Sequence, residues 1–310
     1  MATKDRERAP LSALVLAGGG ALGAYEAGAL LYILKGLKEE EGVEGRFDIF
    51  TGTSVGALNV AFLAASGDRP VLGAEQLAAY WSSIAMEKIL RFGVKELMAL
   101  RSMLFGPGPA LWGRPSLPKP ASTPHPPVAG VFDISPLYGQ MRSLIPWAGL
   151  QNHIASGAVK GVALCATEVC TGKSIIFYQA SGGTRYRAGT DPSKESRPVT
   201  ITVDHAMASA AIPFLFPAVQ VDGVCHTDGA LRQNTPLNPA LRMGADRILV
   251  ISLTQDPGLA TQIARLGCRR HQYPGALFLL GRTVRVFMAQ SLDYELNRVE
   301  MYNRLIDQGC

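Results

Sequence analysis

Phe47-Asp48-Ile49-Phe50-Thr51-Gly52-Thr53-Ser54-Val55-Gly56-Ala57-Leu58-Asn59-Val60-Ala61 is the stretch on which the fold turns. An apolar strand runs into the pentapeptide G-x-S-x-G over Gly52–Gly56, and an apolar helix leaves it. A serine on so sharp a turn exposes its Oγ next to a helix N-terminus. Gly52 and Gly56 permit the tight backbone and leave room for a substrate. The same pentapeptide also serves ordinary strand-to-helix turns, so both readings stand at this point.

Upstream, Leu11 to Ala17 is too uniformly apolar to alternate, which is the pattern of a strand covered on both faces. Gly18 to Gly23 is a turn, and Ala24 to Glu41 a helix. A glycine-rich turn entering a helix presents backbone N–H groups in a concave array, aided by the helix dipole. That array suits an oxyanion or a phosphate. Gly18, Gly20 and Gly23 match the G-x-G-x-x-G dinucleotide fingerprint, with Glu39 to Glu41 or Glu44 near the position of its acidic residue. The serine elbow one strand later favours the oxyanion reading. Both turns lie at strand C-terminal ends, where parallel neighbours bring them together.

Further along, Glu75 to Leu104 reads as a helix. Gly106 to Pro127 holds eight prolines, which exclude regular helix and ladder and mark an inserted connector or lid at 106–127. Gly161–Val169 and Ser174–Gln179 form an expected hairpin, Asp204–Ala211 a helix, and Ala218–Asp222 and Arg247–Leu253 strands. A C-terminal amphipathic helix is expected at about 275–306. Strands alternating with helices indicate an α/β domain, here one domain over 1–310.

The chain has 310 residues, 47% hydrophobic and 18% charged, with a formal charge of +5. That balance suits an anionic surface, and neither zinc-finger spacing nor an RNA-binding signature accompanies it, so no nucleic-acid partner is expected. Five scattered cysteines read as buried small groups or free thiols in a reducing compartment. Pro10 to Leu34 carries only Glu26 as a charge and imitates a membrane span. Its glycines argue instead for strand, turn and helix, and the expected location is cytoplasmic.

A serine hydroxyl needs a base and oxyanion donors to act as a nucleophile. Of the histidines, His125 and His271 lack a local setting, His153 lacks an acidic neighbour, and His205 reads as a helix-capping or packed group. His226, two residues before Asp228, is a modest candidate. Asp228 ends a strand and begins Asp228-Gly229-Ala230. Its carboxylate could reach the serine directly if desolvation or a tight hydrogen bond raised its basicity. An ordinary hairpin turn is the other reading of Asp-Gly.

Four segments in order resemble the patatin-like phospholipase family. They are Gly18-Gly19-Gly20-Ala21-Leu22-Gly23, Gly52-Thr53-Ser54-Val55-Gly56, the alanine-rich Ala208–Pro217 and Asp228-Gly229-Ala230. The resemblance implies a three-layer α/β/α sandwich with a mainly parallel central sheet. It implies a Ser54–Asp228 dyad without a catalytic histidine, and an oxyanion hole from amides around Gly19, Gly20 and Leu22. It also implies cleavage of lipid acyl esters at a membrane or micelle interface, with no cofactor and no metal. Two positions depart from the family: Leu22 stands where a basic residue is common, and Ala230 where the third motif usually has glycine. From Pro257 to Leu292 five arginines occur without an acid, an expected contact for anionic phospholipid. The rival expectations are a nucleotide-binding protein using the Gly18–Gly23 loop and a catalytically silent lipid-binding module. The sequence leaves the oligomeric state unknown.

Overall fold

The computed structural model describes residues 9–84, 132–253, 300 and 304. The proline-rich insertion at 106–127, the arginine-bearing stretch 257–292, the helix expected at about 275–306 and most of the helix expected at 75–104 lie outside them.

A mixed sheet forms the centre. Its path runs β5 (Lys194–Pro198), β4 (Ser174–Ala180), β3 (Gly161–Glu168), β2 (Ile49–Thr53), β1 (Ser12–Leu16), β8 (Arg247–Ile251). The β8–β1–β2–β3 run is parallel, and so is β4–β5, while β3–β4 is the expected antiparallel hairpin. β6 (Val219–Val221) and β7 (Val224–Asp228) form a second hairpin whose β7 pairs antiparallel with β3.

The strand side chains divide by parity. Leu14, Leu16, Phe50, Val162, Leu164 and Phe177 join one core; Ala13, Val15, Ile49, Ala163, Cys165 and Ile176 join the other. Removing such side chains from water on both faces contributes roughly 1.5–3 kcal/mol for each large one. The first face is covered by α1 (Gly23–Glu40), α2 (Val55–Ala64), α3 (Pro70–Ser83), α4 (Ser135–Leu144), α5 (Trp147–Ser156) and α6 (Val203–Ser209). On the second, α7 (Leu237–Arg242) contributes Leu237 and Ala240. The chain therefore has the expected layering of helices on both sides of the sheet. The apolar stretch Pro10–Leu34 resolves into β1, a turn and α1, and among the described residues no helix is long and apolar enough to cross a membrane.

Two expectations are corrected. The helix placed from Glu75 begins at Pro70, where the missing N–H falls at an orphan position of the first turn. His153 does have an acidic neighbour: its Nε2 lies 3.4 Å from Asp68 Oδ1, and its Nδ1 lies 3.1 Å from the Ala64 carbonyl. Asp68 comes from the α2–α3 connection, 85 positions earlier in the chain, so reading around His153 could not find it.

Candidate functional site

The sheet brings the elbow and Asp228 together by an end-to-end arrangement. β2 pairs with the first part of β3, up to Thr53 opposite Cys165. β7 runs the other way along the next part, starting with Asp228 opposite Ala166. The C-terminal ends of β2 and β7 thus meet at adjacent β3 residues. At that meeting point both segments turn out of the sheet, each with a closely approached glycine beside the turn. A Cβ on Gly229 would come 2.1 Å from the Cys165 carbonyl oxygen, and a Cβ on Gly52 would come 2.4 Å from that of Gly56.

Ser54 leads into α2 with φ 55° and ψ −126°, a strained conformation for a residue with a side chain. Two hydrogen bonds secure it. The Ser54 amide donates to Ser209 Oγ at 3.0 Å, and that hydroxyl in turn donates to the Cys165 carbonyl. Ser54 Oγ donates to Asp228 Oδ2 at 2.6 Å. The other carboxyl oxygen, Oδ1, accepts the Ala230 amide at 2.8 Å. Asp228 is fully buried, and this burial pushes its carboxyl up to about 7, against the smaller lowering effects of the Ser54 and Ala230 hydrogen bonds. Ala230 does not have positive φ, so its methyl group fits a position where glycine is usual, and its amide still reaches the carboxylate.

The segment after Asp228 fastens the site to its neighbours. Thr53 Oγ1 donates to the Gln233 carbonyl and Thr51 Oγ1 to the Pro236 carbonyl, each at 2.8 Å. The Gly18 amide donates to the Asn234 carbonyl at 3.0 Å. In this way the glycine turn, the elbow and the aspartate turn share one framework.

Within the glycine turn, Gly20–Leu22 forms a single 3₁₀ turn leading into α1 at Gly23, with Gly20 at φ +58°. The Leu22 amide donates to the Gly19 carbonyl at 3.2 Å. The Gly19, Gly20 and Ala21 amides have no acceptor among the described residues. The Leu22 side chain is half exposed. Gly20, Ala21 and Ser54 line one cavity of about 260 Å³, whose other walls are almost wholly apolar and include Leu58, Phe62, Trp81, Met141 and Phe216.

The histidines sit elsewhere in function. His205 is the third residue of α6 and caps it, its Nδ1 accepting the Thr202 amide at 3.1 Å; burial lowers its imidazole to about 4. His226 is buried under Phe177, with Nε2 3.5 Å from Arg197 Nη1, and its imidazole is also lowered by burial. No hydrogen bond joins it to Ser54 or Asp228. His125 and His271 are outside the described residues. Among those described, no cluster of three metal-ligating side chains exists. Sequence reasoning missed Ser209 and the pair Glu26–Asn59: each acts across a gap of more than 30 residues, and no local spacing announces them. Glu39 to Glu41 stand at the far end of the 18-residue α1, roughly 25 Å from the glycine turn at 1.5 Å rise per residue. That is too far to bind the ribose of a dinucleotide whose phosphates lie on the turn.

A family model described as patatin-like phospholipase matches residues 14–241. No curated protein sequence matches the chain. Among solved structures it is similar to VipD from Legionella pneumophila, at 15% identity over 83% of this chain and 53% of that one, with a TM-score of 0.40. It is also similar to the heterodimeric ExoU–SpcU complex of the Pseudomonas aeruginosa type III secretion system, at 16% identity over 84% and 50%, with a TM-score of 0.32. The chain spans about half the length of these two matched chains.

Proposed function

The chain belongs to the patatin-like phospholipase family, a family of lipid acyl hydrolases, and on that premise we propose that it cleaves fatty-acyl esters through a Ser54–Asp228 dyad. The observation that carries this reading is the 2.6 Å hydrogen bond from Ser54 Oγ to Asp228 Oδ2 beside an apolar cavity.

Ser54 Oγ attacks the acyl carbonyl carbon while its proton passes to Asp228 Oδ2. A carboxylate with an ordinary pKa would hold that proton poorly; burial raises its affinity toward neutrality. The oxyanion that forms faces the Gly19 and Gly20 amides, which have no other acceptor among the described residues. Leu22 supports them by closing the turn through the Gly19 carbonyl. The alcohol leaves with the proton from Asp228, giving acyl-Ser54. Asp228 then takes a proton from water as the water oxygen attacks the acyl carbon; the tetrahedral intermediate collapses, the proton passes from Asp228 to the departing Ser54 Oγ, and the fatty acid is released.

The apolar walls of the cavity of about 260 Å³ suit a fatty-acyl chain. Such a substrate enters from a lipid surface, and Leu22 and Tyr25, both more than half exposed, border the turn that lines the cavity.

The direct test is intact-mass detection of a fluorophosphonate adduct on Ser54, together with hydrolysis of phosphatidylcholine vesicles. Labelling and hydrolysis that vanish in Ser54→Ala support the proposal. Full activity in pure Ser54→Ala overturns it. Vesicle binding without labelling would instead indicate the silent lipid-binding module.

A further inference from the structure

Glu26 is the single charge between Pro10 and Leu34, and the proposed chemistry does not use it. It lies wholly buried on the inner face of α1. A carboxyl group without solvent needs hydrogen-bonding partners, and those it has are informative. Its Oε2 accepts from Asn59 Nδ2 at 2.9 Å. The same Nδ2 also donates to the Gly23 carbonyl at 3.2 Å, and Asn59 Oδ1 accepts Trp81 Nε1 at 3.0 Å. Its other oxygen, Oε1, is buried without a hydrogen-bond partner, and the Ala17 amide donates to the Ile251 carbonyl at 3.2 Å. Every donor and acceptor of the Asn59 amide is thereby engaged, which fixes its orientation.

Gly23 immediately follows the glycine turn. Asn59, itself held by Glu26, thus grips the C-terminal end of the Gly18–Leu22 loop. Asn59 belongs to α2, five residues beyond Ser54, and Trp81 belongs to α3 and lines the cavity. The fit along this seam is close: a Cβ at Gly23 would meet Val55 Cγ2 at 2.3 Å and Trp81 Cζ2 at 2.7 Å. We propose that Glu26 and Asn59 are positioning residues that hold the Gly19–Gly20 amides in register with Ser54 Oγ. Burial keeps the Glu26 carboxyl well above the usual carboxylate range, with the Asn59 hydrogen bond as a smaller opposing influence. A neutral acid is the form that glutamine can replace.

This inference rests on the acyl-hydrolase reading, because an oxyanion loop matters only if Ser54 forms a tetrahedral intermediate. The experiment measures kcat, KM and melting temperature with p-nitrophenyl butyrate, a soluble ester that removes vesicle binding from the readout. Glu26→Met, similar in volume but without the acceptor, is expected to lower kcat about 10²-fold, the usual effect of a misplaced or lost oxyanion donor. Its KM should stay within about threefold, because the ground-state ester does not use the loop. Glu26→Gln should restore kcat to within about fivefold of the wild-type chain. Asn59→Ala should resemble Glu26→Met, and the double variant should be no worse than either alone, as expected for one shared function. Glu26→Met or Asn59→Ala with wild-type kcat would overturn the proposal, as would Glu26→Gln as impaired as Glu26→Met at equal melting temperature. Should Glu26→Met fail to fold, Asn59→Ala alone decides. Failure of the underlying hydrolase reading shows separately, as an active Ser54→Ala.

Discussion

Thr53 and Asp228 abut end to end along one edge of β3, opposite Cys165 and Ala166 respectively. This pairing gives Ser54, the next residue after Thr53, a carboxylate at 2.6 Å without any loop having to reach across the site. If the pair acts as one unit, Ser54→Ala and Asp228→Asn should each lower turnover by at least about 10³-fold. Circular dichroism should stay near that of the wild-type chain for both variants, and the melting temperature near it for Ser54→Ala. His226→Ala should retain activity within about tenfold; a loss as deep as that of Asp228→Asn would assign the base to the histidine.

The pH profile follows from the burial of Asp228. The base must be ionised to accept the serine proton, and burial pushes its carboxyl up to about 7. The value of kcat/KM for a soluble ester should therefore rise with pH and level off above about 7, reporting the free enzyme. A profile already flat from pH 5 upward would mean that the carboxylate is ionised there and that desolvation does not tune it.

The same burial makes the native state bind a proton more tightly than the unfolded chain does. The unfolded carboxyl ionises near 3.9, the folded one near 7. Stability from this group is thus complete below about pH 4 and is lost as pH rises through about 7, by roughly 4 kcal/mol at most. Asp228→Asn, neutral at every pH, should gain on the wild-type chain in urea unfolding at pH 8 relative to pH 5. A stability difference that does not change with pH would contradict the shift.

Ser209 links the elbow to β3, accepting the Ser54 amide and donating to the Cys165 carbonyl. Ser209→Ala takes the acceptor from the buried Ser54 amide and a donor from the Cys165 carbonyl, and should cost about 1–3 kcal/mol. Because the strained Ser54 backbone loses its tether, kcat should also fall, by about tenfold. An unaltered kcat with reduced stability would confine Ser209 to a structural role.

Leu58 lines the cavity one helical turn beyond Ser54. Leu58→Trp should fill part of the space and turn activity from p-nitrophenyl decanoate toward the butyrate, by about tenfold or more in relative kcat/KM. An unchanged preference would place the acyl chain elsewhere.

Much of this arrangement was legible because glycine punctuates it. Gly18, Gly19, Gly23, Gly52, Gly56 and Gly229 mark sites where the backbone passes too close to its neighbours for a side chain, and that steric demand is visible as composition. β1, β2 and β3 were readable as apolar runs because both of their faces are covered. β5 was not: Lys194-Glu195-Ser196-Arg197-Pro198 is an edge strand carrying charge, and Arg197 bonds Glu168 and Glu195 at 2.7 Å each. α4 was hidden because its buried positions among the described residues are few, Leu137 and Met141. The Glu26–Asn59 contact was hidden for a different reason. Glu26 was conspicuous as a lone charge, but its partner lies 33 residues away on another helix, and only the folded layers bring them together.

The end-to-end meeting of β2 and β7 also has a temporal side. During synthesis the glycine turn and Ser54 leave the ribosome early, while Asp228 follows 174 residues later. Until β7 has docked against β3, the nascent chain carries an elbow with no proton acceptor. If Asp228 is the base, acyl transfer would thus stay silent in partly made or truncated chains and switch on only with completion of the sheet.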